Sequence, residues 1–154
     1  GTRALLVEIQ ALVTRANFGI PERKVSGVDY NRVSMILAIL EKRIGLKLGG
    51  QDIFVNIVGG VQVDEPAADL GIAMTIASSF KEKAISPDTV FAGEVGLGGE
   101  VRSVNQIEIR LKEAQRLGFK KAVIPKDNAK GIGKDLGIEL IEVCYLSEAV
   151  EIIG

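Results

Sequence analysis

The stretch Val90–Pro125, VFAGEVGLGGEVRSVNQIEIRLKEAQRLGFKKAVIP, decides the reading of this chain. Apolar residues alternate with Gly93, Gly96, Gly98 and Gly99 over Thr89–Val101, which predicts two short strands around a tight turn. Helical spacing follows at once. Ile107, Leu111, Ala114 and Leu117 mark the buried stripe of a helix over Gln106–Leu117, with Gly118 as its stop. Lys121–Pro125 then reads as a short buried strand.

Working outward, Arg3–Thr14 reads as a largely buried strand. Asn17–Asn31, with Gly19, Pro21 and Gly27 and with Arg23 and Lys24 close to Arg15, reads as loop with short extended pieces. Val33, Ile36, Leu37, Leu40 and Ile44 recur at helical spacing, so a helix is expected over Asn31–Gly45. Ile53–Val58 is a strand stopped by Gly59-Gly60. Pro66 follows Asp64-Glu65 as a first helical residue, and Leu70, Ala73, Met74, Ala77 and Phe80 mark that helix's buried face. Ile138–Cys144 is a further strand, and Ser147 is expected to cap a closing helix. No repeat or linker interrupts the series, so residues 1–154 are expected to form one α+β domain. A purely parallel, doubly wound sheet would have no need of the glycine-rich hairpin.

The 154 residues are 47% apolar and 25% charged, the usage of an ordinary globular domain. Nineteen basic residues oppose twenty acidic ones, so nucleic-acid binding would have to come from local clustering. Basic residues are densest over Asn105–Asp135, where Arg110, Lys112, Arg116, Lys120, Lys121, Lys126, Lys130 and Lys134 oppose Glu108, Glu113, Asp127 and Asp135. No apolar run is long enough to span a bilayer, and Gly1-Thr2-Arg3-Ala4 has no secretory pattern, so a domain edge and a cytoplasmic setting are expected. Histidine is absent, which removes Ser-His-Asp, Cys-His and histidine-metal chemistry together.

The remaining short motifs are weak. Gly131-Ile132-Gly133-Lys134 lacks both the earlier glycine and, at Asp135, the following hydroxyl of a phosphate loop. Gly96-Leu97-Gly98-Gly99 is more simply a hairpin turn than a dinucleotide fingerprint. Ser78 and Lys81 fit S-x-x-K without its companion segments, and Cys144 reads as a small core residue. Asp64, Glu65, Asp69, Glu94 and Glu100 could hold a hard cation, but acidic residues at a helix start equally complement its backbone N–H groups.

The order of segments carries more. Gly59–Met74 (GGVQVDEPAADLGIAM), followed by Val90–Pro125, resembles the peptidase domain of Lon proteases. Within that superfamily it is most similar to the Lon-like C-terminal domain of the RadA (Sms) family of bacterial DNA-repair ATPases. The resemblance covers nearly the whole chain and implies a Lon peptidase-like α+β fold, a mixed sheet with packed helices. Active Lon domains place a serine nucleophile and a lysine base at positions that here match Asp69 and Glu108. A carboxylate is a poor nucleophile toward amides, and Glu108 supplies no positive charge for an oxyanion, so peptidase activity is expected to be absent. Facing one another, the two carboxylates would repel, so a cation such as Arg102 or Arg110 is expected between them, or else a wide separation.

The resemblance also implies a ring-forming, hexameric, DNA-dependent ATPase that processes recombination intermediates and promotes branch migration. ATP, magnesium and zinc would be bound only by its upstream domains, and this domain would need no cofactor. Single-stranded or branched DNA, further copies of the chain and a recombinase are the implied partners, with no membrane. For DNA contact the expected face combines Arg32, Lys42 and Arg43 with Arg110, Lys112, Arg116, Lys120 and Lys121. Two alternatives stay open: a Ser/Lys peptidase with a displaced dyad using Ser78 or Ser103, and a pure assembly module.

Overall fold

The computed structural model describes residues 6–59, 62–132 and 136–153. Its first layer is a mixed sheet in the order β1-β3-β2, with β1 Ile9–Arg15, β2 Arg23–Ser26 and β3 Gln51–Ile57. β1 runs antiparallel and β2 parallel to the central β3. Side chains alternate across a strand, so Ile53, Val55 and Ile57 enter the core while Asp52, Phe54 and Asn56 face away from it.

Helix α1, Tyr30–Ile39, buries Val33, Ile36, Leu37 and Ile39. It continues as a wider turn over Leu40–Ile44, which Gly45 ends with a left-handed φ of 82°. Helix α2, Asp69–Lys81, is entered through a single tight turn at Pro66–Ala68, where proline's fixed φ and missing N–H suit a helix start. It is buried on more than one side. Leu70, Ile72, Ala73, Met74, Ile76 and Ala77 are all enclosed, which is broader than the stripe expected from spacing, and Phe80 is only half-buried.

The glycine-rich segment divides differently from the expectation. Thr89–Phe91 forms β4, an edge strand parallel to β7 (Lys121–Pro125), and β7 in turn pairs in parallel with β8, Glu139–Val143. Only the later residues form the hairpin, with β5 Glu94–Val95 and β6 Val101–Arg102 joined through Gly99 at a φ of 83°. Gly93 sits between the two units, its N–H donating to the Ala67 carbonyl and its carbonyl accepting from Leu70 N–H, both at 3.0 Å. A Cβ on Gly93 would lie 2.7 Å from Val101 Cγ1, so a side chain is excluded by packing.

Helix α3, Ile107–Arg116, short α4, Lys126–Ala129, and α5, Leu146–Ile152, complete the mixed α+β architecture. Leu111, Ala122 and Ile124 form a small apolar cluster under α3, apart from the main core of α1, α2, α5 and the first sheet. Two expectations are corrected at the C-terminal end. Tyr145, not Ser147, precedes α5, and the Glu148 carboxylate accepts from both Cys144 and Tyr145 N–H at 3.0 Å. Cys144 is exposed, because the inward position in this register belongs to Val143. The first strand begins at Ile9, and residues 3–5 of the segment expected to be strand lie outside the described residues. No helix among the described residues is long and apolar enough to cross a membrane.

Candidate functional site

Asp69 is the first residue of α2 and is fully buried. Its carboxylate is held on three sides. Arg32 Nε donates to Oδ1 and Arg32 Nη2 to Oδ2, while Val95 N–H donates to Oδ2 at 3.0 Å. One side chain thus fastens α1, the start of α2 and the hairpin strand β5. Burial pushes the Asp69 carboxyl above its ordinary pKa, and the Arg32 and Val95 hydrogen bonds pull against that rise. The same contact raises Arg32 above the usual arginine value. Three donors thus engage both oxygens of a carboxylate that has no exposed surface, which leaves Asp69 no oxygen open to a substrate.

Glu108 lies in the first turn of α3 and is exposed. The hydrogen-bond partners of Asp69 are Arg32 and Val95 rather than Glu108, and the cation beside it is Arg32 where Arg102 or Arg110 was expected. The inward-facing residue of that helix turn is Arg110, only 7% exposed. Its Nη2 donates to Glu65 and to Asn105 Oδ1, and its Nε to the Asn105 carbonyl at 2.9 Å. Burial draws its guanidinium pKa down from the ordinary value, although arginine remains charged. Helical spacing could have found both inward arginines. Arg32 stands four residues before buried Ile36, and Arg110 four before buried Ala114.

Between the Glu65–Thr75 segment, strand β4 and helix α3 lies a cleft of about 620 Å³. Its walls are mostly apolar, and Glu65 and Arg110 are the ion pair on its lining. The hydroxyls on it are engaged. Thr75 Oγ1 donates to the Gly71 carbonyl at 2.7 Å and Ser86 Oγ to Asp88 Oδ1 at 2.5 Å. Among the described residues no lysine lines it.

The other sequence candidates separate as well. Ser78 Oγ donates to the Lys83 carbonyl at 2.5 Å, and Ser79 Oγ accepts from Val13 N–H at 2.9 Å, so neither serine of the S-x-x-K motif is paired with Lys81. Residues 133 and 134 of the Gly131–Lys134 motif, and residue 135 after it, lie outside the described residues. The acidic group is divided among arginines: Asp69 pairs with Arg32, Glu65 with Arg110, and Glu94 and Glu100 approach Arg102 at 3.9 and 3.5 Å. Among the described residues no three such side chains gather as a metal site.

Of the eight cations expected on a DNA face, Arg32 is paired with buried Asp69, and Arg110, itself buried, is paired with Glu65. Lys42, Arg43, Lys112, Arg116, Lys120 and Lys121 are exposed. Arg43 reaches the Leu97 carbonyl at 3.2 Å, and Arg116 pairs with Glu113 along α3.

A family model described as subunit ChlI of Mg-chelatase matches residues 9–128, from β1 into α4. The chain belongs to this family. The resemblance to the RadA family drawn from the motifs holds across the whole chain. DNA repair protein RadA of Bacillus subtilis strain 168 is 53% identical over 150 residues, 97% of this chain. The protein of that name from Streptococcus pneumoniae is 48% identical over 151 residues, 98% of this chain, and that from Synechocystis is 47% identical over 152 residues, 99% of this chain. The ChlI-family chain spans only 33%, 36% and 30% of these three relatives, about a third of their length.

Proposed function

We propose that residues 1–154 form a single Lon-like domain of a RadA-type DNA-repair ATPase, and that the domain acts as a non-proteolytic scaffold and DNA-contacting element. The observation that carries the non-proteolytic part is the enclosure of Asp69 by Arg32 and Val95, with Glu108 exposed elsewhere. A side chain with both oxygens bound and no water-accessible surface cannot attack an amide, and the position that would supply a lysine supplies a solvated carboxylate. The relatives named DNA repair protein RadA support the repair role.

In this reading the whole protein is a hexameric ATPase that processes recombination intermediates and promotes branch migration, working in the cytoplasm alongside a recombinase. ATP, magnesium and zinc belong to its upstream domains. Lys42, Arg43, Lys112, Arg116, Lys120 and Lys121 are the exposed cations available to phosphates. Lysine and arginine suit that task because neutralising phosphates releases counterions.

Fluorescence anisotropy with labelled single-stranded and duplex DNA, at about 50 and about 200 mM salt, tests the DNA contact. Affinity that falls steeply with salt supports it. Ring assembly in light scattering without any salt-sensitive DNA binding would leave a scaffold alone, and hydrolysis of casein by the purified chain would overturn the non-proteolytic assignment.

A further inference from the structure

Helix α3 is fastened at its entry as much as along its apolar face. Its buried stripe rests on the small cluster of Leu111, Ala122 and Ile124, which stands apart from the main core. The residue just before the helix, Gln106, has a φ of 55°, a left-handed conformation that persists in a residue with a side chain only where its surroundings over-determine it. Two clamps do so. Val104 N–H donates to Asn128 Oδ1 at 2.8 Å and its carbonyl accepts from Asn128 Nδ2 at 2.9 Å, which ties the turn to α4. Asn105 is gripped at its carbonyl by Arg110 Nε and at Oδ1 by Arg110 Nη2, both at 2.9 Å. The same Nη2 also donates to Glu65 across the cleft wall. Of that ion pair Glu65 is the open member, its side chain 34% exposed against 8% for Arg110.

We infer that Glu65 and Arg110 are positioning residues, which set the placement of α3 through Asn105 and the left-handed turn at Gln106, so that a change at the cleft wall is felt on the exposed face of the helix. A buried guanidinium that loses one charged partner redistributes its remaining hydrogen bonds, and here those bonds go to the residue that leads into α3. With only a small apolar cluster beneath it, the helix has little else to keep its first turn in place. Lys112 and Arg116 are carried on its exposed side. The functional consequence of the inference rests on the DNA-contacting reading, while the positioning role does not.

Glu65→Gln keeps the size of the side chain and removes its charge. Amide hydrogen exchange at Arg110, Leu111 and Ala114 should rise about tenfold in this variant, while exchange at Val33, Ile36 and Leu37 of α1 stays unchanged. Asn105→Ala should have the same local effect, and the double variant little more than either single one, because both act through Arg110. Full additivity, or exchange that rises equally in α1, would reduce the pair to ordinary stabilisation and overturn the inference. In anisotropy titrations with labelled duplex DNA, Glu65→Gln should bind about threefold more weakly with an unaltered salt slope, the reverse of what losing a negative charge does by attraction alone. Unchanged or tighter binding beside a faster-exchanging α3 would show that the displacement does not reach the cations, and the coupling fails. If the unaltered chain binds no DNA while the exchange pattern is as stated, the DNA-contacting reading fails and the positioning role stands.

Discussion

The Arg32 guanidinium grips both carboxylate oxygens of Asp69, bridging α1 to the first turn of α2 where the resemblance to Lon domains puts a nucleophile. Sequence separation hid this pair, yet it explains how a scaffold tolerates a charge in its interior: the carboxylate is matched by a cation and by Val95 N–H.

Breaking the pair from the arginine side should be costly. Arg32→Met leaves Asp69 buried without its cation, a loss of about 3 kcal/mol. The pH dependence follows from the Asp69 carboxyl, which burial already raises and which the variant raises further. A carboxyl with a raised folded-state pKa favours the fold most below its unfolded value, and that advantage is lost as pH rises through the folded value. Urea unfolding should therefore show a larger deficit at about pH 8 than at about pH 4.

Restoring the residue types of a Ser/Lys dyad should not restore cutting. In Asp69→Ser/Glu108→Lys the new lysine would stand on an exposed position of α3 while the new serine sits buried beside Arg32. A fluorogenic peptide and casein should both stay intact on long incubation, and measurable turnover would show that the two positions do meet.

Two glycines, Gly93 ahead of the hairpin and Gly96 within it, should respond differently to the same change. Gly93→Ala forces a methyl against Val101 Cγ1 and Leu70, so it should lower stability by about 1–3 kcal/mol in chemical denaturation. At Gly96 the added methyl meets the ends of Glu100 and Arg102, flexible side chains that can swing into solvent. Gly96→Ala should be much milder.

Asp88 offers a direct titration. The Ser86 hydroxyl holds its carboxyl below the ordinary aspartate range, with Lys121 nearby assisting. Such a group favours the fold above its unfolded pKa, and the contribution is lost as pH falls through the folded value. In Ser86→Ala the Asp88 carboxyl carbon should titrate at higher pH by NMR.

Neutralising Lys112, Lys120 and Lys121 singly to glutamine should weaken DNA binding without sequence preference. Each true phosphate contact removed should lower the salt slope by about 0.9 on duplex DNA. Arg110→Gln should instead unfold the chain more readily, since the buried guanidinium ties Glu65, at the entry to α2, to Asn105 ahead of α3.

Local patterns carried most of the fold. Helical spacing located α1, α2 and α3, and the run Lys121–Pro125 matches β7 residue for residue. What spacing could not supply was partnership. Thr89–Phe91 looks like half of a hairpin because Gly93 and Gly96 follow it, but its hydrogen bonds go to β7, thirty residues on. Cys144 looks apolar enough for the core, yet strand alternation places Val143 inward and turns its neighbour out. The same limit applied to the site. Arg32 and Arg110 read as surface cations from composition; helical spacing could have placed them inward, but not named Asp69 and Glu65 as their partners.

The pairing of β1 with β3 also sets an order of events during synthesis. Ile9 stands opposite Ile57 in the antiparallel ladder, so the first strand leaves the ribosome with no neighbour until the whole α1 region and β3 have followed it. For that interval an apolar segment with open edges must wait. Closing so distant a contact is entropically slow, which makes β3 the gate for co-translational folding of everything before it.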